Sequence, residues 1–187
     1  MHIILYHPGA AGELVTSMID AVDYHLDSTA KTIAPDFGCF RRKITEDTNL
    51  NYKNFPISVV WEKRREAFKN RPNYRAFSSH DFEYFLNFDT SFTSYILIDN
   101  TNCIDWAIKR FTELLSKNET YTSPPITEEL VNRQKNYINL ALEKNITDKV
   151  IKLEDIRRGK LVDILKQWID TPLHTDWYEQ WLEWHGL

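Results

Sequence analysis

The sequence predicts a three-layer α/β/α fold with a central parallel sheet. Two patterns favour this class. The first apolar run leads through a turn of small residues into a helical pattern, and later apolar runs alternate with helical segments. This alternation is typical of parallel strands joined by right-handed helical connections. The chain has 187 residues, of which 42% are hydrophobic, so we expect a single domain over residues 1–187.

The amino-terminal half opens with a strand followed by a helix. Residues 2–7 are a short apolar run typical of a buried strand, and from Glu13 onward apolar side chains recur every third or fourth position. A second strand is predicted at residues 31–34, and a charged amphipathic helix at residues 59–68. Residues 74–79 are predicted to form a strand that leads directly into a histidine.

The carboxyl-terminal half continues the alternation. Residues 81–88 predict a short aromatic helix, and residues 94–98 are the clearest strand in the sequence. The polar run Asp99–Asn102 supplies capping side chains for the helix that follows. The remaining predicted elements are a helix carrying Ile104 to Leu115, a helix over 127–144, a strand over 149–153, a helix over 161–169 and a Trp-rich terminal helix.

The terminal helix places Trp177, Trp181 and Trp184 at helical spacing. We expect this aromatic stripe to dock on the core, and the alternative is a surface for a partner or a sugar.

Composition narrows the class of protein. The formal net charge is -4, which disfavours nucleic acid as a partner, and no apolar run is long enough to span a membrane or to form a signal sequence. Cys39 and Cys103 are the only cysteines, so we expect free thiols in a reducing cytoplasm. The histidines lack the spacing of metal ligands, and no metal site is expected.

Ligands of open parallel sheets bind outside the carboxyl ends of the strands, and three candidate segments follow predicted strands. The first is the turn Pro8–Gly12. Its glycines, Gly9 and Gly12, allow an anion to approach backbone N–H groups at the start of a helix, although Glu13 stands where a cation would help. A tight connection without any ligand is the equally weighted alternative.

His80 is the second candidate, because it follows a predicted strand and two small hydroxyl residues. In that position it can take a proton from a substrate hydroxyl, or it can simply cap the next helix. The third candidate is Asp99–Asn100, followed by a helix that carries Arg110. Arg110 can contact an anion, and a solvated surface position is the alternative.

In the order of these segments the chain resembles the sulfotransferase family. The stretch from Tyr6 to Leu14 looks like the family's phosphosulfate-binding loop, and Phe77 to His80 looks like the strand that ends in its catalytic histidine. Tyr95 to Thr101 is similar to the strand that leads to its 3′-phosphate site, and Val150 to Ile156 is similar to its late strand and helix.

The resemblance implies a nucleotide-binding-loop fold that moves a sulfuryl group from PAPS to a hydroxyl or amine of a small molecule or glycan. It implies His80 as the general base. The residues implied to contact the donor are Pro8, Gly9, Ala10, Ala11, Gly12, Glu13, Asn100 and Arg110.

The sequence departs from the family at positively charged positions. Ala10 lies nearest the place of the family's loop lysine, Asp99 replaces its 3′-phosphate arginine, and Ala107 lies near the place of its serine. Cations would then come from Arg110 or from Arg41–Lys43. The alternative function is a non-catalytic binding or interaction module of the same fold. A kinase-like transferase is less favoured, because no phosphate-loop lysine is present.

Overall fold

A computed structural model provides the fold of the chain. It describes residues 2–6, 10–19, 75–79, 82, 94–117 and 127–187. The strand predicted at 31–34 and the helix predicted at 59–68 lie outside these residues, as does the helix predicted at 81–88 apart from Phe82.

Four described strands form one parallel sheet in the order β2-β1-β3-β4. The strands are β1 (His2–Leu5), β2 (Ala76–Ser79), β3 (Ser94–Asp99) and β4 (Val150–Lys152). Helices follow β1, β3 and β4 in the chain, which confirms the predicted α/β class with a parallel sheet.

Six helices are described. They are α1 (Gly12–Ile19), α2 (Ile104–Lys117), α3 (Glu128–Glu143), α4 (Leu153–Arg157), α5 (Leu161–Lys166) and α6 (Asp176–Trp184). A 3₁₀ turn, Thr101–Cys103, joins β3 to α2. As predicted, Thr127 begins α3, because its Oγ1 accepts the N–H of Leu130 at 3.2 Å. No helix in the described part of the chain is both long and apolar enough to cross a lipid bilayer.

The two faces of the sheet bury different helices, because successive strand residues point to opposite sides. Ile3 and Leu97 lie in a cluster with Ile138 of α3. Ile4 and Ile98 lie in the other cluster, together with residues of α1, α4, α5 and α6. The sheet is therefore covered on both faces by described helices.

One predicted boundary is wrong. Leu153 was expected to end the last strand, but β4 ends at Lys152 and Leu153 begins α4. The acidic residues Glu154 and Asp155 lie in the first turn of α4, where they favour a helix, and Leu153 is buried in the core. Because this short strand runs directly into a helix, no turn residue in the sequence marks the boundary between them.

The described strands that follow β1 and β3 lie on opposite sides of this central pair. Among the described strands, β2 comes next after β1 and pairs with it on one side, whereas β4 comes next after β3 and pairs with it on the other. The helix after β1, α1, packs on one face of the sheet, and α3, which precedes β4, packs on the other. Adjacent strands with diverging connections form a topological switch point, where open α/β sheets bind their ligands.

Candidate ligand site at the carboxyl edge of the sheet

The turn after β1 is held by a contact between Tyr6 and Gly12. The ring of Tyr6 is buried and lies directly against Gly12, so that a Cβ at Gly12 would come within 2.1 Å of ring carbons. Real Cβ atoms do not approach an aromatic ring this closely, and only glycine fits at the start of α1. Gly12 thus serves the packing of the turn itself.

Ala10 and Ala11 are buried beside this contact and belong to the core cluster on the α1 side of the sheet. Ala11 has φ of 62°, in the left-handed region that an alanine adopts at a cost of about 1 kcal/mol. Its carbonyl accepts the N–H of Val15 at 3.2 Å and starts the helix. Pro8 and Gly9, which were also predicted to contact a donor, lie outside the described residues.

Glu13 lies in the first turn of α1 and is half-buried. Its Oε1 accepts a hydrogen bond from the hydroxyl of Tyr6 at 2.8 Å. A carboxylate at this position interacts favourably with the positive end of the helix dipole. The place where the sequence predicted a bound anion therefore already holds a negative charge of the chain itself.

The end of β3 is organised by Asp99 and Asn100. Oδ1 of Asp99 accepts the N–H of Thr101 at 2.9 Å, and the carbonyl of Asn100 accepts the N–H of Cys103 at 2.9 Å. These bonds close the turn before α2. The carboxylate of Asp99 thus accepts the first N–H of the 3₁₀ turn rather than one of α2, and the side chain of Asn100 makes no capping bond.

The carboxamide of Asn100 is an unusual group among the described residues at this edge. Asn100 is 0% exposed, and neither its Oδ1 nor its Nδ2 has a hydrogen-bond partner among the described residues. Buried polar groups are nearly always paired, and leaving one unpaired costs about 1–3 kcal/mol. An isolated carboxamide at the switch point is the kind of group that a ligand can satisfy.

The strand register brings these residues to one edge. Leu5 pairs with Leu97 of β3 and with Ser79 of β2, so the three strands end at nearly the same level. Ala10, Ala11, Gly12, Glu13 and Asn100 are thus placed at the carboxyl edge, as predicted. His80 and the side chain of Arg110 lie outside the described residues.

Both carboxylates and basic side chains are described at this edge. Glu13 follows β1, Asp99 ends β3, and Glu154 and Asp155 follow β4. The last two form ion pairs with basic residues a few positions onward, at 2.5 Å and 3.1 Å. A phosphosulfate requires positive charge around its oxygens, and the other described basic residues here, Lys152 and Arg157, lie at or after the end of β4 rather than beside the turn after β1.

Sequence reasoning missed two features: the hydrogen bond between Tyr6 and Glu13, and the lack of described hydrogen-bond partners for the side chain of Asn100. The first has a weak signal in the sequence, a tyrosine at a strand end seven residues before an acidic first turn. The second has none, because the absence of partners depends on the packing of several elements. Within the described ranges, no three His, Cys, Asp or Glu side chains lie close enough together to hold a metal ion.

Comparison of the chain with protein-family models, with curated proteins and with solved structures found no match in any of the three.

Proposed function

We propose that the protein is a ligand-binding domain that holds a small organic molecule at the carboxyl edge of its sheet, between β1 and β3. One observation carries the proposal. The carboxamide of Asn100 is fully buried, and both of its polar atoms lack hydrogen-bond partners among the described residues. A residue that costs stability in this way is typical of a functional site.

The position of Asn100 supports the proposal independently of its burial. It directly follows β3, at the switch point between strands whose connections diverge. The turn around Ala11 and Gly12 lies on the neighbouring strand, and its left-handed residue adds a second local cost at the same edge. Local strain of this kind clusters where a fold positions groups for binding.

The experiment is a screen of a small-metabolite library by thermal unfolding of three proteins: wild type, Asn100→Ala and Asn102→Ala. Asn102 is exposed and lies two residues away, so it is a matched control. A ligand at ten times its Kd should raise Tm by about 3–6 °C in wild type and in Asn102→Ala. The shift should be absent from Asn100→Ala.

The proposal fails if the library yields no stabilising compound. It also fails if every stabilising compound shifts Asn100→Ala as much as it shifts the Asn102→Ala control.

Sulfuryl transfer is a second candidate function, and the position where β2 ends supports it. This strand ends at Ser79, which pairs with Leu5, so His80 follows directly from the edge where the turn after β1 begins. A base there and an acceptor hydroxyl would serve such a reaction. The cations that the reaction also needs would come from Arg110 or from Arg41–Lys43.

Calorimetric titration with 3′,5′-bisphosphoadenosine, using 5′-AMP and ATP as controls, tests this second candidate. Sulfuryl transfer requires binding that depends on the 3′-phosphate. Replacing a catalytic base should then lower the rate about a hundredfold or more in His80→Ala and leave the exposed control His174→Ala unchanged. Equal heats for all three nucleotides, or none, would rule the transfer out.

A further inference from the structure

We propose, resting on the binding function above, that the group recognised at Asn100 is an uncharged planar edge with a hydrogen-bond donor beside an acceptor. A primary carboxamide and the amino-substituted edge of adenine both have this chemistry. The phosphosulfate that the family resemblance implies does not.

The carboxamide of Asn100 itself sets this requirement. Nδ2 donates hydrogen bonds and Oδ1 accepts them, and both atoms are buried without partners among the described residues. A ligand edge with one donor and one acceptor satisfies both atoms in a two-bond pair, as asparagine does with adenine. A phosphate or sulfate oxygen only accepts, so it would pair Nδ2 and leave Oδ1 facing a negative charge.

The charges around the site favour the same class of ligand. Glu13 already complements the dipole of α1, and Asp99 already accepts the first free N–H group after β3. These are two of the described places at this edge where backbone N–H groups would otherwise attract an anion, and each already has a carboxylate of the chain beside it.

The burial of Asn100 favours an uncharged partner. Asn100 directly follows β3 and is 0% exposed. In a fully buried place an uncharged group is desolvated at far lower cost than an ion.

The experiment records the two side-chain N–H resonances of Asn100 in ¹H–¹⁵N NMR spectra, assigned by their loss in Asn100→Leu. Four probes are titrated: nicotinamide as the carboxamide, adenosine as the nucleobase, and inorganic pyrophosphate and ribose 5-phosphate as anions that lack a base. We expect nicotinamide or adenosine to shift these resonances, and the responding probe identifies the source of the edge. Asn100→Leu should weaken that binding about ten- to hundredfold, and the control Asn102→Leu should leave it unchanged.

Two results overturn the inference. If pyrophosphate or ribose 5-phosphate shifts the Asn100 resonances and neither neutral probe does, the ligand is an anion and the binding function itself stands. If no probe moves these resonances, the donor–acceptor class is wrong. The binding function is then decided by the library screen of unfolding temperatures, which does not depend on these four compounds.

Discussion

Two residues at the carboxyl edge of the sheet, Asn100 and Gly12, have local roles that differ in kind. Gly12 is required because the ring of Tyr6 occupies the space of a side chain, which is a packing constraint inside the fold. Asn100 satisfies no such constraint, because its buried carboxamide makes no described hydrogen bond. Substitutions at the two positions should therefore change stability in opposite directions.

Replacing Asn100 by leucine, which has nearly the same shape, should raise the free energy of unfolding of the ligand-free protein by about 1 kcal/mol. The substitution removes two buried groups that lack described partners and adds apolar burial. Urea denaturation of wild type and Asn100→Leu measures the difference, with Asn102→Leu as the exposed control. A loss of stability in Asn100→Leu would mean that the carboxamide is satisfied in the folded protein, for example by a buried water.

Gly12→Ala should lower the free energy of unfolding by about 1–3 kcal/mol, because the new methyl group displaces the ring of Tyr6 from the core. Gly159→Ala is a useful comparison. Gly159 has φ of 80° and no atom within 4 Å of an added Cβ, so its cost comes from backbone conformation alone. In a Tyr6→Leu background the penalty at Gly12 should shrink, whereas the penalty at Gly159 should not. Equal penalties at Gly12 with and without the tyrosine ring would contradict the packing explanation.

At the scale of elements, the terminal helix α6 and the residues just before it contact several other helices. Trp181 is buried in the core and packs edge-on against Trp106 of α2 at 5.9 Å, as expected for an aromatic stripe that docks. Trp177 packs against the same cluster, and the side chain of Trp184 lies outside the described residues. The N–H of His174, just before α6, donates to the carbonyl of Met18 in α1 at 2.8 Å.

Tyr178 of α6 is a polar link within this apolar contact. Its hydroxyl donates to the carbonyl of Ile156 and accepts the N–H of Leu161 at 3.4 Å, so it joins the turn between α4 and α5 to α6. Burial, as the largest cause, raises the pKa of Tyr178 above its usual value, and the hydroxyl stays protonated at neutral pH.

Tyr178→Phe should lower the free energy of unfolding by about 1–3 kcal/mol, because it leaves the carbonyl of Ile156 without this donor in a buried place. Thr112→Val is the control. The hydroxyl of Thr112 donates an exposed bond to the carbonyl of Ile108 at 2.8 Å, and we expect a change below about 0.5 kcal/mol. Chemical denaturation of the two variants measures both values. Equal losses of unfolding free energy in the two variants would show that the buried hydrogen bonds of Tyr178 stabilise the fold no more than an exposed bond does.

At the scale of the whole molecule, the sequence predicted the elements better than their arrangement. Apolar runs located β1, β3 and β4 to within about two residues. β1 and β3 are largely buried and read as continuous hydrophobic segments, whereas β4 ends in the exposed Lys152. The order β2-β1-β3-β4 was not predictable from single segments, since it depends on pairings between distant parts of the chain. One such long-range contact is the hydrogen bond that the Thr147 hydroxyl donates to the carbonyl of Tyr95, which is 52 residues away in the sequence.

The same limit applies to the candidate site. Positions such as Gly12 and Asn100 were predictable as residues at strand ends, because turn chemistry is local. An anion at the turn, one of two equally weighted alternatives, stays a prediction, and the bond from the Tyr6 hydroxyl to the carboxylate of Glu13 was not predictable from single segments. Which charges and which unpaired groups share an edge is a property of the assembled sheet.

At the amino ends of the strands, opposite the candidate site, His2 makes the stability of the whole fold depend on pH. His2 pairs with Ala76 and Ser94 at the start of the sheet, and its buried Nδ1 has no partner among the described residues. Burial, with the positive charge of nearby Lys149 adding to it, lowers the pKa of His2 from 6.5 to about 4.

Between these two pKa values the unfolded chain binds a proton that the folded protein does not, so the free energy of unfolding falls as pH drops from about 6.5 to about 4. Because His2 is only half-buried and solvent screens its charge, the loss should be on the order of 1–2 kcal/mol in wild type relative to His2→Gln. Urea denaturation at several pH values measures it, and His174→Gln, at an exposed histidine, is the control that should follow wild type. If the difference between wild type and His2→Gln stays constant from pH 7.5 to 4.5, His2 takes up its proton equally in both states, and the start of β1 is open to water.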